Sequence, residues 1–235
     1  MTATLKLKTC IMLGATLLMI SGQLPFSARG AIALAATTSS PASPGVDAAG
    51  ARLLAAAEPF EALTEMSFSA LGLHLQRLVA DGDAAAQGAR ALLPPASQAQ
   101  IDARLAEIHQ AHKADDKAGL AIASVEAYRI LVSAAPPSKV PTAVNLMDYA
   151  GFRYDADFRA KPIRWPDMKA AAAYAREQWN SMSPKITDRT LTQSVDAALS
   201  DMQLAADEQN TFKARRSVSA ELGFVDDLEK YFSTR

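Results

Sequence analysis

The sequence has one cysteine, Cys10, and three histidines among its 235 residues, and these shortages exclude several chemistries. Cys10 lies in an N-terminal segment that we expect to be removed. The mature chain would then have no disulfide, no thiol nucleophile and no CxxCH motif for covalent haem. The net charge of -1 shows no basic excess, so nucleic acid is not an expected partner.

The common catalytic motifs are also missing. HExxH, GxSxG, GxGxxG and GxxxxGK[ST] do not occur in the sequence. A ferritin-like di-iron site needs Glu-x-x-His, but Glu107 is followed three residues later by Gln110. Because the histidines are confined to the first half, a Ser, His, Asp triad has no support. We therefore predict no catalytic residues and no enzyme activity.

The N-terminus has the pattern of a signal peptide. Lys6 and Lys8 precede an apolar run over residues 11–20, and Ala33 and Ala35 are the small residues of a cleavage site. The run is shorter than the roughly 20 residues that a membrane span needs. We predict a cleaved signal peptide over residues 1–35, a periplasmic location and no membrane span in the mature chain.

The remaining chain is predicted to be all-α. Residues 36–50 are rich in Ser, Pro, Thr and Gly, which indicates a disordered linker, and residues 51–235 would form a single domain. Apolar spacing predicts a helix over 60–79 that stops at Asp81 and Gly82. Ser97 is the predicted N-cap of the next helix, and Asp115 or Asp116 that of the following one. Further helices are predicted over 142–159, 166–182, 187–207 and 211–232, which together favour an antiparallel helical bundle.

Two segment pairs suggest a duplicated helical-hairpin unit with halves 51–135 and 141–235. Residues 65–78 align with 146–159 at an offset of 81, which pairs Met66 with Met147. Residues 101–116 align with 195–210 at an offset of 94, which pairs Ile101 with Val195. The offsets differ by 13 residues, so the second copy would carry an insertion around 164–175. Chance similarity of amphipathic Ala and Leu helices is the alternative.

The histidines form the first candidate site. His109 and His112 belong to the stretch HQAH on one helix, while His74 falls on the apolar face of the preceding helix. With Met66 as a fourth ligand, His74, His109 and His112 would suit a transition metal. Axial ligation of haem b by Met66 and His112 is a second possibility. The third is that all three are ordinary core or rim histidines.

The segment 149–167 forms the second candidate site, because arginines and aromatic residues alternate there. Arginine beside aromatic rings suits recognition of an anion, a carboxylate or a protein surface. The alternative is that the aromatics fill the core while the arginines pair with Asp148, Asp155 and Asp157. The candidate binding residues are Tyr149, Arg153, Tyr154, Arg159, Arg164 and Trp165.

These patterns predict an exported, non-enzymatic accessory protein that binds a small ligand or a metal. The alternative is an adaptor that presents segment 149–167 to another envelope protein. The sequence does not predict an oligomeric state.

Overall fold

The computed structural model describes residues 44–234, with side chains from residue 48, and this part of the chain is an all-α helical bundle. The predicted signal peptide and residues 36–43 of the predicted linker lie outside the described residues. Residues 44–234 form eight α-helices and no strand. They are α1 Pro44–Met66, α2 Gly72–Ala89, α3 Pro95–Lys113, α4 Lys117–Ala134, α5 Thr142–Arg159, α6 Trp165–Met182, α7 Arg189–Asp207 and α8 Thr211–Ser233.

The helices pack as two four-helix units. In the first unit α1 packs against α2 and α4, and α3 packs against α4; in the second unit α5 packs against α6 and α8, and α7 packs against α6 and α8. Each unit has its own core, built around Phe60 and Leu63 in the first and around Tyr154 and Trp179 in the second. Packing of α4 against α5 joins the two units, and Tyr149 packs against both cores.

The second unit repeats the first with nearly constant spacing. Both ends of α6 lie 93 residues after those of α2, and both ends of α7 lie 94 residues after those of α3. The hairpins match in detail, because Asp115 and Gln209 share a φ of 52° and are each followed by a side-chain N-cap, Asp116 and Asn210. The two units therefore share the order and spacing of their helices over α2–α4 and α6–α8.

This spacing corrects one of the two predicted alignments. The offset of 94 agrees with the structure, but the offset of 81 does not. Residues 65–78 span the end of α1, a turn and the start of α2, whereas residues 146–159 lie within α5. The connection between α6 and α7 is one residue longer than that between α2 and α3, and no insertion of 13 residues lies around 164–175. The residue matches of that alignment therefore pair positions in different structural elements.

The break in that predicted helix lies at residues 67–71. Thr64 and Ser67 end α1 with their hydroxyls bonded back to the carbonyls of Phe60 and Leu63, and Gly72 opens α2 with a φ of +52°. The predicted stop at Gly82 is wrong, since α2 continues through it. A Cβ at Gly82 would lie 3.2 Å from Phe60 Cε1, so this glycine lets α1 and α2 approach closely.

Other predicted boundaries differ less. The prediction for α5 agrees with its observed bounds, and Asp116 caps α4 by accepting a hydrogen bond from Gly119 N at 2.9 Å. Ser97 is not a cap, because α3 begins at Pro95. Residues 44–50 of the predicted linker are helical, and Gly50 packs against the ring of Pro136. Among the described helices, none has the length and apolar character of a membrane span.

Candidate functional site

The structure does not gather the three histidines. His74 lies in the first turn of α2 and is exposed, which corrects the prediction that it faces the core. The prediction assumed one continuous helix over 60–79. The turn before α2 breaks that helix, so the residues of α2 face other directions than the continuous helix would give them. His109 lies beside α2, with its Nε2 3.0 Å from Asp83 Oδ1. Asp83 is nine residues after His74 on the same helix, which corresponds to about 13 Å along the helix axis. His112 is half-buried in the last turn of α3.

No described group of residues is arranged to bind a metal through His, Cys, Asp and Glu side chains. Met66 ends α1, and its sulfur lies 3.8 Å from the hydroxyl of Ser69 in the adjoining turn. The position of Met66 therefore adds no support for a shared metal or haem site with the histidines.

Three of the six Arg and aromatic candidates are internal to the bundle. Tyr149 donates its hydroxyl to Glu126 Oε1 at 2.7 Å, and Arg153 donates to the same oxygen at 2.7 Å. Tyr154 is fully buried, its hydroxyl bonds to the carbonyl of Met202, and burial raises its pKa to about 12. These side chains join α5 to α4 and α7 within the bundle.

Arg153 on α5 pairs with the buried Asp157 on its own helix and with the partly buried Glu126 on α4, in the other unit. Its Nε donates to Asp157 Oδ2 at 2.9 Å, while its NH1 reaches Glu126 on α4. Burial raises the pKa of Asp157 to about 6, although Arg153 acts in the opposite direction. Burial also disfavours ionisation of Glu126, but hydrogen bonding from Tyr149 and the charges of Arg129 and Arg153 outweigh it and lower its pKa.

The remaining candidates, Arg159, Arg164 and Trp165, lie at the end of α5 and the start of α6. Arg164 is half-exposed, with NH1 4.0 Å from Asp157 Oδ1, and Trp165 packs against the second core. The Nε of Arg159 lies 2.8 Å from Asp155 Oδ2, and its guanidinium lies 4.9 Å from the ring centre of Phe68. Arg159 therefore links the α5–α6 loop to the α1–α2 turn.

An open groove of about 500 Å³ lies between this turn and this loop. Its walls are mainly apolar, and its charged lining residues are the two cations Arg159 and Lys161. Asp155 neutralises part of the first charge, which leaves the groove with a net positive charge. The lining residues are Phe68, Phe158, Arg159, Ala160, Lys161, Pro162 and Ile163.

The candidate segment 149–167 contains every lining residue of this groove except Phe68, but among the six named candidate residues only Arg159 lines it. Phe68 was missed because the predicted helix over 60–79 concealed the turn that presents it. Lys161 and Ile163 could have been considered from the sequence, because they flank Pro162 in the loop between two predicted helices. Loops that connect helices at one end of a bundle are common places for binding residues.

The same end of the bundle carries the exposed apolar side chains. Up-and-down packing brings the α1–α2, α5–α6 and α7–α8 connections to one end, and Lys169 at the start of α6 pairs with Asp207 at the end of α7. The large apolar side chains that stand out from the described surface are Leu71, 70% exposed, Leu73, 84%, Leu204, 46%, and Phe212, 75%. We call this end the loop end.

No protein-family model, curated protein or solved structure matches this chain. The class that the fold and the groove define is an all-α repeat bundle with an apolar, cationic groove at its loop end.

Proposed function

We propose that this protein is an exported accessory protein that binds a small anionic ligand with an apolar portion in the loop-end groove. The observation that carries the proposal is the groove itself, where apolar walls meet Arg159 and Lys161. Export to the periplasm remains part of the proposal and rests on the pattern of residues 1–35.

The groove shares its volume and its apolar lining with small-molecule sites, and it is open to solvent on one side. Its volume of about 500 Å³ falls within the range of roughly 300–1,000 Å³ typical of small-molecule sites, which combine apolar walls with a few polar groups. Arg159 already stacks on Phe68, so its guanidinium is oriented before any ligand arrives. Hydrogen bonds from a cation to a carboxylate or sulfonate are stronger than neutral ones. Positions of the histidines add no support for the metal version of this function.

The first prediction is tested with the fluorescent anion 8-anilinonaphthalene-1-sulfonate, with decanoate as a competitor. We expect the folded mature chain to bind the probe and decanoate to displace it. Arg159→Gln/Lys161→Gln should weaken binding by about tenfold or more, because each charge-assisted hydrogen bond contributes roughly 1.5–3 kcal/mol. Fluorescence titration at two salt concentrations measures this change.

The matched control is Lys185→Gln/Arg189→Gln, which removes one exposed lysine and one exposed arginine near the opposite end of the bundle. It should leave probe binding unchanged. Equal binding by the groove variant and the wild-type chain, with both folded, would contradict the proposed function.

An adaptor is the second candidate, and the exposed loop-end residues favour it. Leu71 and Leu73 are large apolar side chains that are mostly exposed, and they lie next to each other at the end of the turn that forms one wall of the groove and in the first turn of α2. The same titration separates the candidates. If the protein binds a ligand in the groove, Leu71→Ser/Leu73→Ser should still bind the probe. If it is an adaptor, this variant should lose surface binding of the probe, and Arg159→Gln/Lys161→Gln should bind the probe as well as the wild-type chain does.

A further inference from the structure

The two repeat units differ in one chemical respect: the second core contains acids where the first is apolar. The buried positions of α1 match those of α5 at an offset of 94 residues, as Phe60 and Tyr154 show, and the buried positions of α4 and α8 match at the same offset. Leu54 then corresponds to Asp148, Leu63 to Asp157 and Ala127 to Glu221. All three acids are buried, and Asp157 and Glu221 have no exposed surface. Asp157 forms an ion pair with Arg153, whereas no such ion pair with an arginine is found for Glu221 among the described residues.

Glu221 is the most isolated of the three acids. It lies in the interior of α8, and neither of its carboxyl oxygens has a hydrogen-bond partner in the described part of the chain. Burying an ionised carboxylate without a partner has a large free-energy cost, so such groups are usually neutral.

The neighbouring helix is shaped around this carboxyl. A Cβ at Gly151 on α5 would overlap Glu221 Oε2, so glycine provides the space that the carboxyl occupies. In the first unit the corresponding residues are Ala57 and Ala127, both buried. An alanine pair has thus been replaced by a glycine and a glutamate at the crossing of α5 with α8.

The charged groups around Glu221 disfavour its ionisation. On α5, Asp148 acts on it electrostatically, and Asp148 in turn accepts a hydrogen bond from Tyr128 on α4 at 3.2 Å. Glu61 on α1 and Glu229 on α8 add negative charge near Tyr128. The buried face of α7, the other helix packed on α8, is apolar: Val195, Ala198, Leu199, Met202, Ala205 and Ala206.

We propose that Glu221 is a proton-binding site, and that the bound proton keeps the contact between α5 and α8 closed while its loss at alkaline pH loosens the second unit. Burial first, and the charge of Asp148 second, raise the pKa of Glu221 well above its ordinary value. The proposal does not depend on ligand binding in the groove.

The sign of the pH effect follows from proton binding. An unfolded glutamate ionises near its ordinary pKa of about 4.3, whereas the folded chain retains the proton to higher pH. Between these two values the folded state binds one proton more. Stability contributed by the proton is therefore present at low pH and falls as pH rises, with the unfolding equilibrium constant increasing by up to tenfold per pH unit.

The test compares the mature chain with Glu221→Gln, a neutral side chain of the same shape, by urea unfolding between pH 5 and 9. Asp157 titrates in both proteins, so its contribution cancels in the difference. We expect the ratio of the wild-type to the variant unfolding constant to rise by at least tenfold across this range. An unchanged ratio would overturn the proposal.

A direct measurement guards against a variant that fails to fold. The ¹³C chemical shift of the Glu221 carboxyl in the wild-type chain should be that of the neutral acid at pH 7 and should change at higher pH. A carboxylate shift at pH 7 would overturn the proposal without any substitution.

Discussion

At the scale of single residues, the arginines of this protein differ in what their loss would cost. Arg153 lies between the fully buried Asp157 and the nearly buried Glu126, so its removal would leave Asp157 without its main cation and Glu126 with Arg129 alone. Arg104 pairs with Glu107 on the surface of α3, where an ion pair contributes little. Equal charge changes at these two positions should therefore have unequal effects.

We predict that Arg153→Met lowers the free energy of unfolding by roughly 2–4 kcal/mol, because breaking a buried ion pair leaves an uncompensated charge. The pKa of Asp157, already about 6, should rise further without the arginine. A raised acid pKa makes the folded state less stable as pH increases toward that value, so the loss should deepen between pH 6 and 8.

Urea unfolding at several pH values measures this prediction, with Arg104→Met as the control that should change stability by less than about 1 kcal/mol. A loss at Arg153 that does not vary with pH would contradict the assigned link to Asp157. The pairing of Arg153 with acidic residues along α5 could be predicted from the sequence. Its contact with Glu126 could not, because Glu126 lies on another helix and is brought close only by the packing of α4 on α5.

At the scale of helices, the two hairpins α3–α4 and α7–α8 use the same chemistry. Asp116 Oδ1 accepts from Gly119 N at 2.9 Å, and Asn210 Oδ1 accepts from Lys213 N at 3.0 Å. Each cap satisfies a backbone N–H that the first turn of a helix leaves without a partner.

We predict that Asp116→Ala and Asn210→Ala each reduce the free energy of unfolding by about 1 kcal/mol, the usual contribution of a side-chain N-cap. The control is Asp201→Ala, which removes an exposed acid within α7. Thermal unfolding of the three variants checks the prediction, and equal melting temperatures for control and cap variants would argue against the caps.

Helix boundaries were predictable where a local signal marks them. The cap at Asp116 and the prolines near 136 and 162 defined α4, α5 and α6 well. The turn at 67–71 has no proline or side-chain cap, and its apolar spacing continues through the break. Because this turn was not predicted, His74 was placed on the apolar face, and Phe68, which lines the groove, was not among the candidate residues.

At the scale of the whole molecule, the repeat shows which helix faces the junction of the two units. Helix α4 packs against α1, α3 and α5, whereas its counterpart α8 packs against α5 and α7. Positions buried on α4 but exposed on α8 therefore mark the side of α4 that contacts α5. Val125 and Ser219 are such a pair, and Ala121 and Arg215 are another.

The polar outer side of α8 has a physical reason. A polar and exposed face at this position disfavours the stacking of another helical unit against α8. Ala121, Val125 and Val132 on α4 correspond to Arg215, Ser219 and Asp226 on α8. This difference between apolar residues on α4 and polar residues on α8 is present in the sequence. It can be recognised only when α4 and α8 are aligned at the offset of 94.

We therefore predict that Val125→Ala destabilises the whole protein by roughly 2 kcal/mol, because it removes two buried methyl groups from the junction. Ser219→Ala, the corresponding change on α8, should leave stability nearly unchanged. Since the junction couples both cores through Tyr149, unfolding should remain one transition in the wild-type chain when followed by far-UV circular dichroism and by tryptophan fluorescence. Two separate transitions in the wild-type chain, or equal losses in the two variants, would mean that α4 and α5 do not couple the units.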